Sequence, residues 1–142
     1  MNQSAIFGPF FAMIALVFAV WVYLFSRRVP FILGANLTRE QMTTPGMFAQ
    51  LSPPAVNSPS ENLKNLFEMP VLFYALALYL FSTNQVDGAY VTAAWIFVAF
   101  RALHSAVHCT VNIVNLRFAM YLISTLALGY IACRAALAHW TA

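Results

Sequence analysis

Two histidines one helical turn apart, His104 and His108, stand in an apolar stretch with Arg101 just ahead and Ser105 and Asn112 in the same series. Spacings of three and four put these side chains on one face of a helix. Two other segments carry matching polar series. One runs Glu61, Lys64 or Asn65, then Glu68; the other begins at Arg117, with Tyr121 four residues on and Ser124 and Thr125 after it. An ionisable group inside a membrane span costs roughly 2.5–3.5 kcal/mol on insertion scales, so each needs a reason to be there. Glu68 is the carboxylate embedded in a span and is the expected counter-ion of Arg101. Gluing two helices would need one such pair. Two histidines, several amides, a second arginine and a tyrosine go further, and together they predict a ligand site. His104 and His108 have the i, i+4 spacing of a zinc pair, with Glu68 as a third ligand. Arg101 and Arg117 would repel a cation, however, and no further carboxylate is at hand to orient the imidazoles. The expectation is no metal, with both histidines acting through hydrogen bonds.

The elements that must position these groups are transmembrane helices. Of 142 residues, 62% are hydrophobic and 8% charged, against about 25% charged in soluble domains. A soluble fold of this size has too little interior to hide that much apolar surface. Four spans of about 20 residues use most of the length, so the expectation is one all-α domain, an integral membrane four-helix bundle covering 1–142. The net charge of +3 is too small and scattered for a nucleic-acid partner. Cys109 and Cys133 lie in apolar stretches and are expected to be inert buried thiols.

The first span is predicted over about 5–26, closed by Arg27, Arg28 and Pro30. With no basic leader before its apolar run, it is expected to stay in the mature protein. A long irregular loop, 27–57, follows. Ser58-Pro59-Ser60-Glu61 has the form of a helix start, with Ser58 as cap and Pro59 at the first helical position. The remaining helices are predicted at about 58–82, 89–112 and 117–139. Arg101 would then lie about 16 Å from the end of its helix. Basic residues gather in the first and third connections (Arg27, Arg28, Arg39, Lys64, Arg117), which places the long loop in the cytoplasm and both termini on the opposite side. The start of the second helix, the end of the third and the start of the fourth share that face, so the three polar series can converge.

Asn65-x-x-Glu68-x-Pro70, Arg101-x-x-His104-x-x-x-His108 and Arg117, taken as a set, resemble the membrane-associated proteins in eicosanoid and glutathione metabolism. That family includes the microsomal glutathione transferases and prostaglandin E synthase, and the resemblance is nearest to its bacterial-type branch. It covers essentially the whole chain. It implies a homotrimer that binds glutathione between neighbouring subunits near the cytoplasmic face. Asn65 and Glu68 match positions that hold the peptide part of glutathione, and His104 and His108 match positions lining the same pocket. Arg101 resembles an internal anchor of the site, Arg117 the arginine facing the glutathione sulfur, and Tyr121 a nearby aromatic. Where the family's enzymes carry arginines that grip the carboxylates, this chain reads Ser60-Glu61-Asn62-Leu63-Lys64, with Lys64 as its basic member.

The implied function is a membrane-bound glutathione (or related thiol) transferase or peroxidase acting on hydrophobic small molecules dissolved in membrane lipid. Free cysteine thiols ionise near pH ~8.5, and the thiolate is the nucleophile. A guanidinium that stays charged and donates to sulfur lowers that value. The alternative is a non-catalytic lipid-binding or assembly protein on the same scaffold.

Overall fold

The computed structural model describes residues 2–141, and these form seven α-helices and one short 3-10 turn. The turn Gln3–Ile6 runs into α1, Phe7–Gly34. Two short helices follow, α2 at Arg39–Thr43 and α3 at Met47–Leu51. Then come α4 at Pro54–Asn65, α5 at Met69–Ser82, α6 at Gly88–Cys109 and α7 at Val114–Trp140. Four stretches are long and apolar enough to cross a membrane: Gln3–Gly34, Pro54–Ser82, Gly88–Cys109 and Val114–Trp140. The chain is a multi-pass integral membrane protein built as a helical bundle.

α6 and α7 form an antiparallel hairpin. α1 lies against α4 and α6, and α5 against α7. The core is a narrow apolar column, with Met13 of α1, Phe73 and Ala77 of α5, Phe97 of α6, and Leu128 and Ile131 of α7 all buried. Phe73 and Phe97 stack with ring centroids 4.8 Å apart. Large apolar side chains such as Phe11, Phe18, Leu126 and Leu137 lie exposed on the outside. In water that surface would be a liability; in a bilayer it is the solvated face.

The structure moves several predicted boundaries. α1 does not stop at Pro30, which lies inside it; the helix runs on to Gly34, with Asn36 in the left-handed region at φ 48° just beyond. A proline removes one backbone donor, and the carbonyl left free, that of Ser26 beside Arg27, lies where the charged residues begin and can meet water. The loop predicted over 27–57 is not irregular. Thr38 and Gln41 close a reciprocal capping box on α2, Gly46 turns the chain at φ 79° into α3, and Phe48 of α3 packs on Phe31 of α1.

The helix start predicted at Ser58 lies four residues too late. Pro53 is extended and Pro54 takes the first helical position, so this Pro-Pro pair, inside the segment expected to be irregular, starts a helix, and Pro59 sits inside α4. Conversely, the helix predicted as continuous over 58–82 breaks between Asn65 and Met69. Pro70 would push its ring into the Leu66 carbonyl one turn earlier, and Glu68 leaves the helical region at φ −97°, ψ −97°. α6 ends at Cys109 rather than Asn112. Asn112 turns left-handed at φ 48°, and its N–H donates to the Val107 carbonyl at 2.7 Å. Arg101 therefore stands about 12 Å, not 16 Å, from its helix end. Cys133, expected to be buried, is exposed on α7, while Cys109 is half-buried.

A polar pocket where α4, α6 and α7 meet

α6 supplies Arg101, His104 and His108, all at most 3% exposed. The fully buried Arg101 guanidinium lies over the ring of Tyr121 from α7 at 4.5 Å and near Phe97 at 5.7 Å. Its Nε, Nη1 and Nη2 have no hydrogen-bond partner among the described residues. His104 sits beside Tyr121, ring centroids 5.8 Å apart, and meets His108 edge-on at 5.6 Å. His104 Nδ1 lies 2.9 Å from the carbonyl oxygen of Arg117. A carbonyl can only accept, so Nδ1 carries the proton and Nε2, which is buried without a partner, presents a lone pair.

Arg117 is the fourth residue of α7, inside its first turn rather than at its opening. It is held at two points. His104 grips its carbonyl, and its Nη1 donates to Asn112 Oδ1 at 2.8 Å. The left-handed turn at Asn112, a conformation asparagine tolerates well, thus brings an acceptor back under the guanidinium. Asn112 Nδ2 in turn reaches Ser58 Oγ of α4 at 3.5 Å. These residues wall a polar pocket of ≈ 510 Å³, lined by Pro54, Asn57, Ser58, Glu61, Asn65, His108, Asn112 and Arg117. That volume is within the range of small-molecule sites.

Of the predicted site residues, Asn65, His108 and Arg117 share this pocket; Arg101, His104 and Tyr121 form the wall behind it, one to two turns deeper in α6 and α7. Two predicted residues fall elsewhere. Glu68 is exposed at the α4–α5 break, outside the pocket lining, and makes no ion pair with Arg101. The expected pairing fails because the Pro70 break reorients the chain at that residue. Lys64 pairs with Glu61 at 3.0 Å and lines a neighbouring cavity with Arg28, Phe48 and Ser60. With Glu68 displaced, the three-residue zinc set is not assembled; among the described residues no three of His, Cys, Asp and Glu come together.

Reading from the sequence missed Asn57 and took Ser58 for a capping residue; it placed Glu61 in the polar series of the second helix without assigning it to the pocket. The signal was there: Asn57, Glu61 and Asn65 recur every four residues, one face of a helix that begins at Pro54. Asn62, on the next face, is fully buried; its Oδ1 accepts from Ser105 Oγ at 3.3 Å, and its Nδ2 reaches Cys109 Sγ at 3.5 Å. This amide ties α4 to α6 and so fixes the pocket wall.

No curated protein and no solved structure matches the chain. The MAPEG family profile does match, over residues 6–137, nearly the whole chain. On that match the protein belongs to the MAPEG family, whose members are membrane four-helix bundles.

Proposed function

We propose that this protein is a membrane-bound glutathione, or related thiol, transferase or peroxidase acting on lipophilic electrophiles. The observation that carries the reading is Arg117, its backbone carbonyl held by His104 and its guanidinium by Asn112, on the wall of a polar pocket at the end of the bundle. The lining suits a short peptide, because Asn57, Ser58, Asn65 and Asn112 offer neutral donors and acceptors and Arg117 a fixed positive charge. Glutathione, when bound, supplies the nucleophilic sulfur. Arg117 stabilises negative charge there, His108 and Asn65 orient the peptide from the same pocket, and the exposed apolar helix faces give bilayer-dissolved electrophiles access. Arg101, His104 and Tyr121 back the pocket and set its floor.

The same reading puts the pocket on the cytoplasmic side, following the basic residues of the first and third connections, with both termini opposite. It also takes a homotrimer as the working assembly, in which neighbouring copies cover part of the exposed apolar surface. Purified protein in detergent, titrated with glutathione, is expected to develop thiolate absorbance at a pH where free thiol shows none. A folded protein that leaves the spectrum unchanged at millimolar glutathione would sink the proposal.

A second reading is favoured by Lys64. It is tied to Glu61 and turned to the neighbouring cavity, so the stretch that grips carboxylates in the family's enzymes has no basic residue in the pocket. On this reading the chain is a non-catalytic lipid-binding or assembly protein. It predicts that Arg117→Ala leaves function intact while substitutions in the apolar grooves do not.

A further inference from the structure

The pocket beside Arg117 contains a carboxylate, and it is Glu61 rather than Glu68. Glu61 stands on α4 between two cavities, lining this pocket with Asn65, His108, Asn112 and Arg117 and the neighbouring one with Arg28 and Lys64, whereas Glu68 sits two helical turns on, in the break. The charge in this pocket is therefore divided between two helices, a cation from α7 and an anion from α4. A ligand whose charged groups were all negative would meet Arg117 well and Glu61 badly.

Lys64 engages Glu61 Oε1 at 3.0 Å, but the two side chains are 68% and 57% exposed. Pairs exposed to this degree contribute little, and Lys64 is one end of a long flexible side chain that can swing away. An ammonium group brought by a ligand competes for the same carboxylate with an ordering advantage: it arrives already positioned by the neutral amides around it.

We infer that Glu61 is the recognition residue for a free amine on the thiol carrier. The ligand class is thus a zwitterionic amino-thiol peptide, with its ammonium at Glu61 and its sulfur at Arg117. This rests on the thiol reading above and narrows it.

The test crosses a ligand change with a protein change. Glutathione and N-acetylglutathione differ in the ammonium and share the thiol and both carboxylates. Calorimetric affinities for the two are measured on the intact detergent-purified protein, with thiolate absorbance followed in parallel. The wild-type protein is expected to prefer the free amine about fivefold, the upper range for an exposed charge pair. Glu61→Gln keeps the size and removes the charge at an exposed position; its two affinities should converge. Lys64→Met removes the internal competitor, so its preference should exceed the wild-type value. Glu68→Gln should retain the wild-type ratio.

A wild-type protein that binds both thiols equally overturns the inference. So does a Glu61→Gln variant that still discriminates, or a Glu68→Gln variant that no longer does. If both thiols bind without thiolate forming, the catalytic reading fails while the affinity ratio still decides the role of Glu61. If neither binds, both fall.

Discussion

Arginine lies on the face of a tyrosine at both ends of the bundle. Where α5 turns into α6, Arg134 of α7 covers Tyr90 at 4.2 Å and also donates both its Nη groups to the carboxylate of Asp87, one at 2.8 Å. Asp87 in addition caps α6 by accepting the Tyr90 N–H at 3.0 Å. Nearby, the Gln3 side chain bonds the backbone of Val86 in both directions, at 2.8 and 3.3 Å. At the other end Arg101 covers Tyr121 at 4.5 Å, more deeply buried than Arg134 and with no carboxylate paired to it among the described residues. All three of its nitrogens, with His104 Nε2 and His108 Nδ1, are buried and without hydrogen-bond partners among the described residues. Buried polar groups in folded proteins are nearly always bonded, and leaving one unbonded costs about 1–3 kcal/mol, more for a charge. The first end is a clamp whose charged groups answer one another, with one amide oxygen, Gln85 Oε1, buried and unbonded among the described residues. The second keeps open valences at the back of a pocket, the arrangement expected where binding is the purpose and stability is not.

If that contrast is right, substitutions at the two ends should separate chemistry from stability. The largest effect is expected for Arg117→Ala. Removing one charge-stabilising donor from a site of this kind lowers kcat/KM by about 10²-fold, and the thiolate signal in a glutathione titration should vanish with it. Arg101→Leu should lower activity about 30-fold, within the range for losing a hydrogen-bonding charge. Its thermal midpoint should hold or rise, because a well-packed apolar side chain often replaces a buried charge without loss. An Arg101→Leu protein that unfolds would instead make Arg101 a structural residue and erase the contrast. Asn112→Gly keeps the left-handed turn and deletes the acceptor under Arg117, so it should cost about tenfold in activity. Its measured counterpart is the guanidinium of Arg117 itself, whose separate Nη resonances should merge as it gains freedom to rotate.

How far the sequence revealed this division depends on which physical rule governs each element. The four spans were legible because a run of apolar residues of membrane length has few other uses, and helices of that length appear where the hydropathy placed them. The α6 series was legible for a similar reason: Arg101, His104 and His108 fall on one face by spacing alone. Glu68 was misread. Its partner was assigned on the assumption of an unbroken helix, yet Pro70 two residues on dictates a break whose direction depends on tertiary packing. The start of α4 was misread because Pro53-Pro54 is ambiguous: the same residues that forbid a helix before them favour one after them. Asn57 then fell outside the helix, and with it the four-residue recurrence through Glu61 and Asn65. The Asn112 turn was the hardest to foresee. Nothing in Thr110-Val111-Asn112 distinguishes one more helical residue from a left-handed reversal, and that choice decides where Arg117 points.

The smallest expected effects belong to the closed end, and they sharpen the contrast by sparing the chemistry. Asp87→Ala removes an N-cap and an ion pair together. The cap contributes about 1 kcal/mol and a half-exposed pair about 0.5 kcal/mol, so the thermal midpoint should fall by about 3–5 °C with glutathione ionisation unchanged. The pH dependence follows from the same carboxylate. The hydrogen bond from Arg134, chiefly, holds Asp87 down to about 2, against its burial, below the ~3.9 of an unfolded chain. A depressed carboxylate contributes its full stabilisation above the unfolded value and loses it as the pH falls through about 4 towards 2. Acid unfolding of the wild-type protein should therefore steepen in that window, and Asp87→Asn, which keeps a capping oxygen but not the charge, should flatten it. If Asp87→Asn leaves the acid profile unaltered, the carboxylate does not clamp this end, and Arg134 on Tyr90 is then no better satisfied than Arg101 on Tyr121.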